Sequence, residues 1–216
     1  MKAVKTMMIV TICLVLVLAV GLAGFLVLSL NGILPGLSLF SGNYNLELAN
    51  RLTFSAAEFD ELTVDYNSES ITLLRSTGDE VVLEEYMNRW DDDMLASAQT
   101  GGKTLSITAG RRNAINIGLG GFRCQVKLYV PADWDAKVQL ATSSGSVRSE
   151  DSFTFAVFSG QSKSGSVRMQ DVTAKGGITL ATSSGSVWCE TVMAATIMEV
   201  MRQQDKSTML KAVSLF

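Results

Sequence analysis

The tetrapeptide Ser144-Gly145-Ser146-Val147 recurs as Ser164-Gly165-Ser166-Val167 and as Ser184-Gly185-Ser186-Val187, 20 residues apart each time. Its flank repeats too, since Leu140-Ala141-Thr142-Ser143 returns as Leu180-Ala181-Thr182-Ser183. A fixed period of this length marks a stacked-repeat fold, in which one unit cannot bury its apolar face alone and its neighbours complete the core. Counting in twenties puts Val138, Phe158 and Ile178 in one column, Leu140, Gly160 and Leu180 in the next, then Thr142, Ser162 and Thr182. Beyond the turn come Val147, Val167 and Val187, then Ser149, Met169 and Cys189. These columns are apolar or small. The intervening ones are mostly polar: Gln139, Ser159 and Thr179; Arg148, Arg168 and Trp188; Glu150, Gln170 and Glu190. Alternation within a repeat predicts strands. Stacking of like on like predicts an all-β chain, a β-solenoid (single-stranded β-helix-like) of about 20-residue rungs. A meander of hairpins would share the alternation without demanding the same residue type in every copy. Gly145, Gly165 and Gly185 are expected at positive-φ corners, which glycine adopts at little cost.

An earlier rung precedes the clean triplet. Leu62 to Tyr66, the turn Asn67 to Ser70, and Ile71 to Leu73 match Val138 to Ser149 position for position, with Glu69 where the later copies have Gly. Between them lie short apolar runs at Val81–Leu83, Leu105–Ile107, Ile115–Ile117 and Val126–Val130, bounded by Gly101-Gly102, Gly110, Gly118 and Gly120-Gly121. Asp91-Asp92-Asp93 beside Trp90 marks a loop. The repeat domain is thus set at 56–192. At Met193 the pattern stops. A fourth Ser-Gly-Ser-Val is due at 204–207, where the chain reads Gln204-Asp205-Lys206-Ser207. Met193, Ile197, Val200 and Met201 are instead spaced for one face of a short helix. Residues 193–216 therefore read as a short helical tail that caps the open end of the solenoid, or as a tail foreign to the domain.

Apolar residues concentrate at the other end. Met7 to Leu30 is a run of 24 residues without a charge, preceded by Lys2 and Lys5. As a helix it spans roughly 36 Å, enough for a hydrocarbon core of roughly 30 Å. A cleaved signal peptide is the competing reading, with a small-residue site at Gly21-Leu22-Ala23, but apolar residues continue past it to Leu30 and on to Phe40. Cys13 lies inside the run rather than after it, which excludes a lipoprotein site. Residues 1–30 are read as a transmembrane helix contacting the lipid bilayer through residues 7–30, and 31–55 as a linker punctuated by Asn31-Gly32, Pro35-Gly36 and Ser41-Gly42-Asn43. Lys2 and Lys5 on the short side place the N-terminus in the cytoplasm and the rest outside, as a single-pass protein of the cell membrane. Setting those lysines aside leaves 16 basic against 21 acidic residues, a net charge of −5, which argues against nucleic acid. Arg111-Arg112 is the one adjacent basic pair and reads as a solvated loop.

The chain has no histidine. That removes the Ser-His and Cys-His nucleophilic arrangements and the commonest transition-metal ligand. Glu150, Asp151, Asp171 and Glu190 fall near one corner and leave room for a polysaccharide-active solenoid enzyme, although Arg148 and Arg168 lie among them and ladder-like charge pairing explains them equally well. Asp91 to Asp93 lack the alternating ligands and glycine of an EF-hand loop and read as solvated. Cys124 and Cys189 show no zinc or thioredoxin-type spacing, and a disulfide between them stays open. The corner Ser and Thr columns could offer hydroxyls to a glycan or a protein edge, or serve the turn alone. Trp188, aligned with two arginines, is either a contact point or packs under the tail. No catalytic, cofactor-binding or metal-ligating residue is assigned, no cofactor is called for, and the chain is not expected to be an enzyme.

Leu128-Tyr129-Val130-Pro131, a short Ala132-Asp133-Trp134-Asp135 connector and then Thr-Ser-Ser-Gly-Ser-Val rungs together resemble the bacterial putative-adhesin family of β-strand repeat proteins, over roughly residues 56–192. That resemblance implies one N-terminal membrane helix, an extracytoplasmic repeat domain and a Gram-positive source. The family more often has Ser-Gly-Asp at the corner and more rungs after the third, so a cation-binding corner is less expected here and a shortened domain is allowed. It supplies no catalytic residues. Two functions follow. One is a membrane-anchored binding or scaffolding module contacting cell-envelope polymer or a partner protein. The alternative is an envelope-stress or signalling accessory that modulates a membrane partner.

Overall fold

The computed structural model describes residues 45–112, 121–201, 209–210 and 213–215, with side chains through residue 195. The expected anchor at 7–30, the linker up to residue 44 and the run Ile115–Ile117 lie outside the described residues. Among the described residues, no helix is long and apolar enough to cross a membrane.

Apolar residues at every second position commit each repeat to strands. Long strands β8 (Asp133–Thr142), β10 (Phe153–Ser162) and β12 (Val172–Thr182) lie parallel in one sheet. Short strands β9 (Val147–Ser149), β11 (Val167–Met169) and β13 (Val187–Cys189) lie parallel in a second. One long strand, a corner and one short strand make a rung. The expected columns are the observed registers: Phe158 faces Val138 and Ile178, Gly160 faces Leu140 and Leu180, and Val167 faces Val147 and Val187. Val147, Val167 and Val187 are all buried. The chain is therefore all-β and solenoid-like.

The earlier rung is present as well. β2 (Glu61–Tyr66) and β3 (Ile71–Arg75) pair with β8 and β9, bringing Leu62 to Val138, Val64 to Leu140 and Ile71 to Val147. The stack does not follow chain order, however. β6 (Thr104–Thr108) pairs parallel with the far side of β2, and β7 (Cys124–Val130) with the far side of β3. A rung that comes later in the chain thus stands in front of the earlier one. Antiparallel strands close that end: β4 (Glu80–Met87) lies on β7, β1 (Glu47–Ser55) lies on β4, and β5 (Ser97–Gly101) forms a hairpin with β6. β1 begins inside the stretch read as linker. The connector before the repeats is also shorter than read, because Asp133 and Trp134 already belong to β8.

The helical tail is corrected. β14 (Val192–Met201) is a strand parallel to β12, followed by β15 (Met209–Leu210) on β13 and β16 (Val213–Leu215) on β14. The physical reason is a bulge. β14 starts at the 20-residue offset, Val172 facing Val192, and after a register shift runs at 19, Ile178 facing Ile197. A bulge advances the alternation by one residue, and two strand halves out of phase imitate helical spacing.

The core lies between the two sheets. Val126, Ile71, Val147, Val167 and Val187 form one inward file across five rungs, all at 1% exposure or less. In the second of the three repeats the large Phe158 occupies the column of Val138 and Ile178, and Phe155 stacks on it at 5.6 Å between ring centres. Gly160 follows where the flanking rungs have leucine. A Cβ there would already lie 3.3 Å from both the Phe158 ring and Val167. The rung conserves its volume by pairing one oversized residue with one undersized residue.

Candidate functional site

The corner after each long strand is built by two columns acting together. Gly145, Gly165 and Gly185 are not at positive φ. Among the described residues that conformation belongs to Gly102, Gly121 and Asp171. The corner glycines are required instead by close approach: a Cβ on Gly165 would sit 1.8 Å from the Gly145 carbonyl oxygen, one on Gly185 1.9 Å from that of Gly165, and one on Gly145 1.9 Å from that of Glu69. Each hydroxyl of the Thr142, Ser162, Thr182 column then staples two rungs. Ser162 Oγ donates to the Gly145 carbonyl at 2.8 Å and accepts the Gly165 N–H at 2.8 Å. Thr182 repeats this with Gly165 and Gly185, and Thr142 with Glu69 and Gly145. These hydroxyls are buried and spoken for. The corner residues that face solvent are their neighbours, including Ser144, Lys163, Ser164, Ser183 and Ser184.

Beside these corners an open groove of about 570 Å³ crosses the rungs. Its floor is the outward row Asp65, Ala141, Gln161 and Ala181, aligned strand to strand. Two alanines on either side of Gln161 make the floor low, and Asn67, Ser143, Lys163 and Ser183 raise a wall along it. Gln161 donates from Nε2 to Ser159 Oγ at 3.0 Å, which lays its amide along the floor. The groove offers amide and hydroxyl groups at the rung spacing of about 4.8 Å, one carboxylate and one ammonium. That set can hold an extended polar chain by hydrogen bonds.

A buried ionic cluster sits at the first corner. Glu69 occupies the glycine column, and its side chain pairs with Arg112. Arg112 Nη1 is 2.8 Å from Glu69 Oε1, an ion pair without hydrogen-bond alignment. Its Nη2 pairs with Glu85, and its Nε donates to the Met94 carbonyl at 3.1 Å. Glu85 is fully buried and also accepts from Tyr66 Oη, Asn50 Nδ2 and the Ala96 N–H at 2.7 to 2.9 Å. The guanidinium lies 5.4 Å from the Tyr66 ring centre and 5.8 Å from that of Phe122. Burial works against the Arg112 charge, but Cys124, Glu69 and Glu85 more than restore it, so its pKa stands above the ordinary arginine value. Burial raises the Tyr66 hydroxyl as well, reinforced by Glu85. The Cys124 thiol is pushed up to about 12 by burial, with Arg112 opposing. Arg112 is therefore no solvated loop residue. The one sequence signal for this cluster was a carboxylate in a column otherwise held by glycine.

The other candidates are dispersed. Glu150 and Glu190 stand in the column with Gln170 between them, at the edge of the short-strand sheet away from the groove. The Glu150 side chain is 66% exposed and lies 3.9 Å from Arg148 Nη1. Asp151 accepts the Arg75 N–H at 2.9 Å, and Asp171 sits at φ 49°. Asp92 to Met94 form a short 3-10 turn, and among the described residues no group of acidic or cysteine side chains is placed to hold a metal ion. Cys124 and Cys189 are not joined by a disulfide. They lie on β7 and β13, four strands apart in the sheet, about 19 Å and beyond disulfide reach. Trp188 carries the Arg168 guanidinium over its ring at 5.4 Å.

The family model described as Toastrack DUF4097 matches residues 59–214. No curated protein matches the chain significantly. Among solved structures it is similar to a putative cell adhesion protein of Clostridium sporogenes, at 10% identity and a TM-score of 0.46, with 69% of this chain and 72% of that one covered. It is also similar to putative adhesins of Parabacteroides distasonis (12% identity, TM-score 0.34, 69% and 76% covered) and Bacteroides fragilis (13%, 0.28, 71% and 93%).

Proposed function

The chain belongs to the Toastrack DUF4097 family, and from that premise we propose that it is a binding module of the cell envelope, held by a single-pass anchor over residues 7–30 with its repeat domain outside the membrane. Its ligand is an extended polar chain, an envelope polymer, laid across the rungs in the groove between Asp65 and Ala181. The observation that carries this reading is the groove itself. It crosses successive rungs, with a floor of Asp65, Ala141, Gln161 and Ala181 set beside a polar wall of Asn67, Ser143, Lys163 and Ser183. The buried hydroxyls beneath it fix the rungs rigidly, so a ligand meets a preorganised surface.

The test is sedimentation of the full chain with purified cell-wall polymer. Saturable binding is expected, weakened about tenfold or more when Ala141→Arg fills the floor and by less when Gln161→Ala removes one amide. Copurification of a membrane protein without any wall binding would refute the reading in favour of the signalling-accessory alternative. Protection of the repeat domain from added protease in intact cells would refute its placement outside the membrane.

A further inference from the structure

The outward face of the short-strand sheet carries a feature that neither the core nor the groove explains. Lys127, Thr72, Arg148, Arg168 and Trp188 stand in one outward row on five consecutive strands. Arg148 and Arg168 are directly in register, both are exposed, and like charges placed opposite each other on neighbouring strands are destabilising. The chain is acidic overall, yet this single file holds three cations, Lys127, Arg148 and Arg168. Among the described residues, neither Lys127 nor Arg168 has a carboxylate within ion-pair distance, and Arg148 has only the exposed Glu150 at 3.9 Å. Each cation is instead held in place by a neutral group. Arg148 Nε donates to Thr72 Oγ1 at 3.0 Å, Arg168 lies over the Trp188 ring, and the Lys127 ammonium lies 4.6 Å from the Tyr86 ring centre.

The surroundings define what fits. On one side runs a file of serines: Ser70 Oγ accepts the Ser146 N–H at 3.0 Å, and Ser146 Oγ accepts the Ser166 N–H at 3.1 Å. A hydroxyl that accepts there keeps its own proton to donate. At the end nearer β7 a pocket of about 260 Å³ is lined by Ser68, Ser70, Phe122, Arg123, Gln125 and Arg148, among others, which adds a fourth cation. On the other side stand Glu150 and Glu190, and Glu84 closes the row. The cationic track is one residue wide with acidic borders.

We propose that this row is a docking track for a linear polymer of phosphodiester-linked polyol units, lying along the stack with its phosphates on Arg148 and Arg168 and its end in the Arg123 pocket. Guanidinium groups bind phosphate oxygens bidentately, and the serine file supplies neutral donors beside them. A planar anionic membrane would bring its charge against Glu150 and Glu190 as well, whereas a single chain avoids them. Duplex nucleic acid, with one charge per roughly 1.7 Å of axis, presents far more negative charge than three or four cations on an acidic domain can match. The track lies on the opposite sheet from the groove and stands whether or not the groove binds anything.

The experiment is calorimetric titration of the full chain in uncharged detergent with synthetic poly(glycerol phosphate), with intrinsic fluorescence followed in parallel. Saturable binding is expected, with a slope of log K against log salt of about −2 for three phosphate contacts and a change in Trp188 emission that Trp188→Phe abolishes. The double variant Arg148→Gln/Arg168→Gln should lose at least tenfold in affinity and flatten the salt slope, and Arg148→Lys should lose less. Removing a like-charge pair does not threaten folding, so loss of binding is attributable to the site. Lys103→Gln/Lys175→Gln, two exposed cations away from the track, one in the β5–β6 turn and one on β12, should bind like the unaltered chain. No binding, or equal loss in the Lys103/Lys175 variant, overturns the proposal. Competition by glycerophosphoglycerol as effective, per phosphate, as the polymer would assign the site to single lipid headgroups and overturn it. Equal competition by an oligothymidine or by polygalacturonate would overturn the phosphodiester-polyol assignment.

Discussion

Replacing Gly165 by alanine separates two explanations of the corner. The Cβ would be built 1.8 Å from the Gly145 carbonyl oxygen, and real Cβ contacts essentially never fall below 3.0 Å, so the two rungs must part locally by about 1.2 Å. The obstacle is backbone, not the tip of a flexible side chain. A displacement of that size takes the 2.8 Å bond from Ser162 Oγ to the Gly145 carbonyl out to about 4 Å, beyond hydrogen-bonding range. It also strains the bond from the Ser164 N–H to the Ser143 carbonyl, now 2.8 Å, and that from the Val147 N–H to the Ser166 carbonyl, now 3.0 Å. Losing two or three hydrogen bonds at about 1 kcal/mol each puts the cost at about 3 kcal/mol. For a chain of this size the midpoint of thermal unfolding should then fall by about 6–12 °C.

Were glycine present for a left-handed backbone, alanine would cost about 1–2 kcal/mol and asparagine, which tolerates that region, noticeably less. With close approach as the cause, Gly165→Asn is as damaging as Gly165→Ala or worse. Urea unfolding of the full chain followed by circular dichroism, with Gly78→Ala as the control, measures this directly. Nothing lies within 4 Å of a Cβ at Gly78, so that control should stay within about 0.5 kcal/mol. A cost below about 1 kcal/mol for Gly165→Ala, or a clear advantage for asparagine, would refute the contact argument.

Three further outcomes follow from the packing and the buried cluster. Gly160→Leu, which restores the repeat column, should destabilise by about 1–3 kcal/mol through overpacking against Phe158, and adding Phe158→Ile should recover most of it, a coupling read from a double-mutant cycle. Arg112→Leu leaves Glu69 and Glu85 without their cation and should cost about 3–5 kcal/mol in urea unfolding, whereas Arg111→Leu should cost little. Because burial holds the Cys124 thiol up to about 12, against an ordinary 9.0, its alkylation at pH 8 should run about a thousandfold slower than that of an unfolded control. A raised thiol favours the folded state below the ordinary value, and that contribution declines as pH climbs from about 9 towards 12. Cys124→Ala should flatten the alkaline fall in stability.

What could be read in advance was whatever repeats at a constant offset. Val147, Val167 and Val187 stand in register because each rung returns the backbone to the same place, so counting in twenties found the columns, and matching the strand-turn-strand pattern position for position found the rung at Leu62 to Leu73. Three things escaped. The rung of β6 and β7 has a corner of its own length, so no column revealed it, and its place in front of β2 and β3 reverses chain order. The strand at Val192 was hidden by a bulge that shifts its phase by one residue. The Arg112 cluster joins Glu69, Glu85 and Arg112 across long separations, and only the misplaced Glu69 hinted at it. Local pattern reports local geometry; pairings set by the closing of the stack leave little trace in it.

The same distinction indicates where binding specificity is written. Inward columns must stay apolar, the glycine column must stay bare, and the Thr142, Ser162, Thr182 hydroxyls are consumed in holding one corner to the next. A change at any of these positions alters the fold before it alters a ligand. The outward rows carry no such obligation, and there the copies diverge: Ala141, Gln161 and Ala181 in the groove, and Arg148, Arg168 and Trp188 on the opposite sheet. Two adjacent arginines in register are the reverse of what strand pairing alone would favour. A residue choice that stability disfavours, at a position the fold leaves open, needs a cause outside the fold, and a bound anion supplies one by neutralising both charges at once.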